Sequence, residues 1–296
     1  MKTNAKGGSE KVVRVFLLLL AASTLCAAEG PKIFIVTDLE GAGGVNNAEE
    51  QLLPGQRRYD ESRRILTGEV NAAVEGALKG GASEVVIWDG HDSSRTLSIE
   101  EIHPRAKLIQ GEPTPANYYL GRNLYDGIFF IGQHAMAGAK NAVLAHSQSF
   151  EVQSITLNGR PVGEIGQTAA IAGYFGIPVV MLAGDQAACD ELLALQPKAE
   201  TAAVKRLIGK ASTLSLSQVE ARNEIMAKAR RAVERIHEYS PWKIDGPVEM
   251  KIESYPGAVG KTSEELNRSS GKQYLPRTVV YRGRTVLEVY EEWLGK

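Results

Sequence analysis

Two acids close an apolar run near the start of the chain. In "IFIVTDLEGAGG" (residues 33–44), Asp38 and Glu40 interrupt the hydrophobic residues and glycine follows. On an extended chain, residues two apart project to the same side. Two further apolar runs end in a similar way: "EVVIWDGH" delivers Asp89 and His91, and "GIFFIGQH" delivers His134. Imidazole and carboxylate together suit a borderline divalent cation such as zinc. The surplus of acids over what one ion needs suits a pair of ions sharing a carboxylate, about 3.5–4 Å apart. Any one of these residues has a plainer explanation, because a single acid or histidine at a strand end more often caps a loop or faces solvent. The case for chemistry rests on three runs ending alike. His146, in "NAVLAHSQSF", follows another apolar segment. Glu164, in "RPVGEIGQTAA", stands at a helix start, where the default role of a carboxylate is to complement the helix dipole. His103 precedes Pro104 in a turn and His237 lies at the end of a long helix; neither is given a role.

The elements that must position these residues alternate. "KIFIVTD", "SEVVIWDG", "DGIFFIGQ" and "IPVVMLAGD" read as strands, and their unbroken apolar character means burial on both faces. Between the first two, "YDESRRILTGEVNAAVEGALKGG" carries Leu66, Val70, Ala73, Val74 and Ala77 on one helical stripe and ends at Gly80. "GEIGQTAAIAGYFG" predicts a short helix of small residues. "SQVE" is a capping box, Ser217 with Glu220, opening a helix whose stripe is Ile225, Ala229, Ala232 and Ile236. The turn-rich stretch "YSPWKIDGP" (239–247) marks a boundary. Beyond it, "VEMKIE" alternates through Val248, Met250 and Ile252 as an antiparallel strand does, and "RTVVYRG" and "RTVLEVYEEWL" predict a strand and a closing helix. The expectation is α/β: a mostly parallel three-layer α/β/α sheet domain over residues 29–239 holding a di-metal site, and a smaller C-terminal α+β region over 240–296. In such sheets ligands bind beyond the carboxyl ends of the strands, where the acids and histidines fall.

Composition narrows the partners. The 296 residues are 43% hydrophobic and 23% charged, with a formal net charge of -1, so nothing in the charge points to a nucleic-acid surface or a polybasic membrane patch. Lys2, Lys6, Lys11 and Arg14 precede "VFLLLLAASTLCAA", the order of a secretory signal peptide over residues 1–28 with cleavage after Ala28. The apolar run is too short for a stable membrane span. The expected location is therefore periplasmic or extracellular. Removing the signal leaves Cys189 as the one cysteine, so no internal disulfide forms and the core must hold the fold.

Seven motifs stand in order along the chain: "DLEG" (38–41), "DGH" (89–91), "GQHA" (132–135), "AHS" (145–147), "NGRPVGEIG" (158–166), "GYFGIPVVMLAGD" (173–185) and "TAAVK" (201–205). With them the sequence resembles the zinc-dependent D-aminopeptidases of the dipeptide-transport type. The resemblance implies two Zn2+ per chain, with Asp38 bridging them, Glu40 and His134 completing one site, and His91 and Glu164 completing the other. It implies His146 as the catalytic residue. The implied reaction is removal of the N-terminal D-amino acid from short peptides, D-Ala-D-Ala among them, by metal-activated water. His146 then moves the proton to the leaving amine or stabilises the oxyanion, as an imidazole titrating near neutrality can; a nucleophilic imidazole is also described in the family. The resemblance further implies a homo-oligomer, a decamer of stacked pentameric rings. Family members of the bacillus type are cytoplasmic, and the signal segment departs from them. "MAGAKN" is the expected pocket wall, with Gly138 and Asn141 allowing close backbone approach.

Two alternatives compete. A haloacid-dehalogenase-like phosphatase also ends its first strand in acids, as Asp-x-Asp-Gly, but Glu40 occupies the third position here and that chemistry has no use for strand-end histidines. A non-catalytic solute-binding protein is also exported and α/β, yet its cleft favours aromatic residues, which make up only 6% of this chain.

Overall fold

The computed structural model describes residues 29–111, 119–257 and 277–294; the expected signal segment at 1–28 lies outside the described residues. The apolar runs become the inner strands of a large sheet. β1 (Lys32–Thr37) leads through the short α1 (Ala48–Gln51) and the long α2 (Tyr59–Lys79) to β2 (Glu84–Asp89), β3 (Ala106–Ile109) and β4 (Gly127–Gln133). A hairpin of β5 (Val152–Leu157) and β6 (Arg160–Pro161) then leaves this sheet, and α3 (Glu164–Phe175) returns the chain to it. It resumes with β7 (Val179–Asp185), α4 (Gln186–Leu195), β8 (Glu200–Leu207) and β9 (Thr213–Ser215), before α5 (Gln218–Glu234). The strand order is β3-β2-β1-β4-β7-β8-β9. Neighbours run parallel except β8 with β9.

Residues along β1 and β4 alternate between two cores, as a pleated strand requires. Ile33, Ile35, Phe129 and Ile131 pack on one face with α2 and α5, whose predicted stripes (Leu66, Val70, Ala73, Val74, Ala77; Ile225, Ala229, Ala232) are buried there; Ile236, expected on the same helix, is buried in a 3-10 turn just beyond it. Phe34, Val36, Ile128 and Phe130 face the other side, against α3 and α4. Ser217 caps α5 by accepting from the Glu220 N–H, as the capping box predicts. This is the expected mostly parallel α/β architecture. Cys189, in α4, is buried and unpaired, and burial pushes its thiol pKa up. Among the described residues no helix is long and apolar enough to cross a membrane.

After the turn at 239–247 come β10 (Val248–Ser254), β11 (Thr278–Gly283) and α6 (Val286–Trp293). β10 alternates buried Val248, Met250 and Ile252 with partly exposed residues, as its pattern predicts. The second sheet, however, does not belong to residues 240–296 alone. Its order is β11-β10-β5-β6, with β10 pairing antiparallel to β5 from the middle of the chain. A two-stranded ribbon is marginal by itself. The insertion between β4 and α3 supplies the missing strands and closes the second core with Ile155 and Leu157.

Candidate active site

Sheet order decides what meets what. β1 lies between β2 and β4, with Thr37 in register with Asp89 on one side and with Ile131 on the other. The residues that leave these strands therefore form a row: His91 beyond β2, Asp38 beyond β1, His134 beyond β4. The β1 ladder continues past the strand, with Asp38 N–H donating to the Ile131 carbonyl at 2.9 Å and Gly41 N–H to the Gly132 carbonyl at 2.7 Å. Gly132 makes this approach possible. Its φ is +75°, and a Cβ there would sit 2.0 Å from the Asp38 carbonyl oxygen.

Asp38 is buried and divides its two oxygens. Oδ1 accepts from the Leu39 N–H at 2.9 Å and lies 3.1 Å from His91 Nδ1. Oδ2 accepts from Gln133 Nε2 at 3.0 Å and lies 3.1 Å from His134 Nε2. His91 Nδ1 is also 3.0 Å from Glu40 Oε2. His134 Nε2 is also 3.6 Å from Oε2 of Glu164, the first residue of α3. All five residues of the expected metal set thus converge. The resemblance implied Glu40 with His134 and His91 with Glu164. The donors of Asp38, Glu40 and His134 fall within 4.8 Å of one another, with His91 beside Asp38 and Glu40 and with Glu164 beside His134. Sheet order sets these neighbours: His91 leaves on the β2 side of β1 and His134 on the β4 side.

Each imidazole is anchored through its second nitrogen. His91 Nε2 lies 2.9 Å from the Leu52 carbonyl, His134 Nδ1 2.9 Å from the Ala135 carbonyl and His146 Nδ1 2.9 Å from the Leu144 carbonyl. A carbonyl only accepts, so a proton sits on that nitrogen, and the other nitrogen faces carboxylates, where it either carries a second proton or gives its lone pair to a cation. Metal-ligating histidines are held in this way. The charges point to a cation. Burial alone lowers the pKa of His91 and His134, yet Glu40 and Asp38 around the one, and Glu164 and Asp38 around the other, raise both well above the usual value. Burial raises Asp38, but His134 and His91 outweigh it and hold that carboxyl well below the usual range. Burial and the neighbouring Asp38 push Glu40 up. Glu40 Oε2 and His134 Nε2 are buried without a hydrogen-bond partner. The site asks for positive charge at these atoms, and the nitrogen and oxygen donors fit zinc.

His146 lies in the loop after β4, tied by its N–H to the Ala135 carbonyl at 3.3 Å. Its ring stacks on His134, and its Nε2 faces Glu164 Oε1 at 3.9 Å. The donors of His134, His146 and Glu164 also fall within 4.8 Å of one another. Glu164 Oε1 accepts from the Gln148 N–H at 2.8 Å, which joins the His146 loop to α3. Gly138 and Asn141, in the same loop, both adopt positive φ.

Asp89, at the same strand edge, turns to its own loop. Its Oδ2 accepts from the Leu97 N–H at 2.8 Å and from Gln110 Nε2 at 3.2 Å. His103 lies 3.1 Å from Glu75 on α2. Three further residues act at the site without having been singled out in sequence. Gln133 holds Asp38, and Phe150 stacks on His146. Lys205 is buried beneath the 40–45 turn, where its Nζ donates to the Glu40 and Val45 carbonyls; burial pushes its pKa down to about 8. Gln133 and Lys205 lie inside the quoted motifs "GQHA" and "TAAVK", and a lysine closing an apolar strand was the visible signal. Phe150 had none.

The sequence model of the D-aminopeptidase family matches residues 32–294. A D-aminopeptidase of Bacillus subtilis (strain 168) is 32% identical over 266 residues, covering 89% of this chain and 95% of its own. Among solved structures, the Zn-dependent D-aminopeptidase DppA from Bacillus subtilis, a self-compartmentalizing protease, is similar with a TM-score of 0.78 at 30% identity, over 89% of this chain and 96% of that one.

Proposed function

The chain belongs to the D-aminopeptidase family, and on that premise we propose that it is an exported di-zinc enzyme releasing the N-terminal D-amino acid of short peptides such as D-Ala-D-Ala. Membership makes it a metallo-aminopeptidase and sets aside the phosphatase and the solute-binding protein. The zinc dependence of DppA supports zinc here. One observation carries the count of two: Asp38 presents Oδ1 toward His91 and Oδ2 toward His134, so a single carboxylate serves two half-sites. In this reading Asp38, Glu40 and His134 would hold one ion, and Asp38, His91 and Glu164 would hold the other.

Zinc bound there supplies Lewis-acid polarisation of the scissile carbonyl and a nucleophile available at neutral pH. The chain's own residues do the rest. His146 keeps its proton on Nδ1, anchored to Leu144, and leaves Nε2 free beside Glu164. From there Nε2 takes up a proton and passes it to the departing amine, the general acid–base role of a positioned imidazole. Gln133 and the Leu39 N–H hold Asp38 in place through the cycle.

The self-compartmentalizing character of DppA supports a homo-oligomer, for which we propose a decamer of stacked pentameric rings. The basic and apolar segment at 1–28 supports export, with a mature N-terminus at Glu29. The decisive experiment measures metal content and D-Ala release from D-Ala-D-Ala in the mature protein and in Asp38→Ala. About two zinc per chain, with zinc and activity both lost in the variant, is the expected result. No transition metal in the wild type after chelator-free purification overturns the reading.

A further inference from the structure

The chain between β4 and β5 forms neither helix nor strand, yet it carries His146. Leu144 sets the direction of that ring, because its carbonyl lies 2.9 Å from His146 Nδ1. Leu144 itself stands at a φ of 55°, a left-handed conformation that a leucine keeps only where its surroundings hold it. The residue before it supplies the hold. Val143 is buried, and its N–H donates to Asp185 Oδ2 at 2.7 Å. Asp185 is the last residue of β7, fully buried and in register with Lys205 on β8. An inner strand of the sheet thus fixes Val143 at the entry to Leu144, and the Leu144 carbonyl fixes the imidazole.

The other ties of this segment hold it at different points. The His146 N–H reaches the Ala135 carbonyl at 3.3 Å, and Ser147 Oγ accepts from the Ala137 N–H at 3.1 Å. Both stay within the segment that follows β4, and the Gln148 N–H reaches α3 through Glu164. The Val143–Asp185 bond ties the segment to the sheet, one residue before the carbonyl that holds the ring. We propose that Asp185 is a positioning residue for His146, acting through the Val143 N–H and the Leu144 carbonyl to set where Nε2 points. The inference rests on the catalytic role of His146 in the reading above. A misplacement of about 1 Å can cost about 100-fold in rate.

Two substitutions separate the acceptor from the charge. Asparagine keeps an oxygen that accepts from the Val143 N–H, whereas alanine has none. Steady-state release of D-Ala from D-Ala-D-Ala is measured on the zinc-loaded protein, with zinc content and circular dichroism recorded on the same preparations. His146→Ala comes first. A wild type that releases no D-Ala, or a His146→Ala variant as active as the wild type, removes the reading on which the inference rests before Asp185 is touched. Asp185→Ala is then expected to lower kcat by about tenfold to a hundredfold, with KM and zinc content unchanged. Asp185→Asn is expected to keep kcat within about threefold, because a neutral acceptor still holds the N–H. Equal losses in the two variants, zinc lost together with kcat, or an unchanged kcat in Asp185→Ala overturns the positioning role. Asp185→Leu fills the space of the carboxylate without an acceptor, and repeats the alanine test should a cavity at this buried position unfold the protein. The same loss of kcat is expected there, and an unchanged kcat overturns the proposal.

Discussion

His134 and His146 stack face to face, with ring centroids 3.9 Å apart and an interplanar angle of 14°. Phe150 covers the outer face of His146 at 4.2 Å and 24°. The turn through Ser147, Gln148 and Ser149, with Gln148 at φ 64° and a bridge between the two serines, folds Phe150 back onto the imidazole. His146 is thus sandwiched with its Nε2 edge free. Phe150 is 48% exposed, so its ring contributes little to the core. An aromatic pair is worth about 0.5–1.5 kcal/mol beyond area burial. Phe150→Ala is therefore expected to lower kcat by up to about tenfold through loss of His146 orientation, with zinc content and urea midpoint unchanged. Steady-state kinetics alongside metal analysis checks this; a variant that loses zinc instead assigns Phe150 to the metal half-site.

The central position of Asp38 predicts a graded response to ligand removal. Glu40 and Glu164 each serve one half-site, whereas Asp38 faces both imidazoles. Asp38→Ala is expected to retain almost no zinc, and Glu40→Ala and Glu164→Ala about one ion per chain each. Elemental analysis of the three purified variants measures this directly. Equal loss in all three contradicts the division into half-sites.

Much of this site was legible in sequence because buried parallel strands are unbroken apolar runs, and polar residues that end them are conspicuous. Asp38, Glu40, His91 and His134 were visible for that reason, and the helical stripe from Leu66 to Ala77 for its period. The order of these residues along the sheet edge was not visible, because it follows from the strand order β2-β1-β4, which no local pattern encodes. Glu164 was ambiguous, since a carboxylate opening a helix has a structural role in any case. β5 stayed hidden for a related reason. "VQSITL" is half polar, and its partner β10 lies far along the chain, with Ile155 in register with Ile252. Lys205 contacts backbone groups of a distant segment, and such contacts impose no spacing on the sequence.

Lys205 yields a stability prediction. It is 2% exposed at the end of β8, donates to the Glu40 and Val45 carbonyls, and faces the buried acids Asp185 and Glu69. Asp185 in turn accepts from the Val143 N–H at 2.7 Å, three residues before His146. Lys205→Met fills the space but removes the cation. Two carbonyls lose their donor and the acids lose their counter-charge, a change that costs about 3–5 kcal/mol when a buried pair is broken. Urea unfolding of the wild type and the variant at the same zinc occupancy reads the difference. A change below about 1 kcal/mol shows that the turn at 40–45 holds without it.

Glu69 predicts a pH dependence of opposite sense to the usual carboxylate. It is fully buried on α2, where Oε1 accepts from the Gly43 N–H at 2.9 Å while Oε2 has no hydrogen-bond partner. Burial raises its pKa from 4.5 to about 7. Between those values the native state holds a proton that the unfolded chain has released, so native stability declines as pH rises through the window. The decline is complete above about pH 7 and amounts to roughly 3 kcal/mol at about 1.4 kcal/mol per pKa unit. Glu69→Gln keeps the acceptor for Gly43 and cannot ionise. The variant is expected to match the wild type at low pH, near the ordinary glutamate pKa, and to be more stable at high pH. Urea unfolding of both proteins at about pH 5 and pH 8 cancels the contribution of the shared metal site. A gap between the two proteins that does not change with pH means that Glu69 is ionised in the native state throughout, held so by Lys205 and the Gly43 N–H.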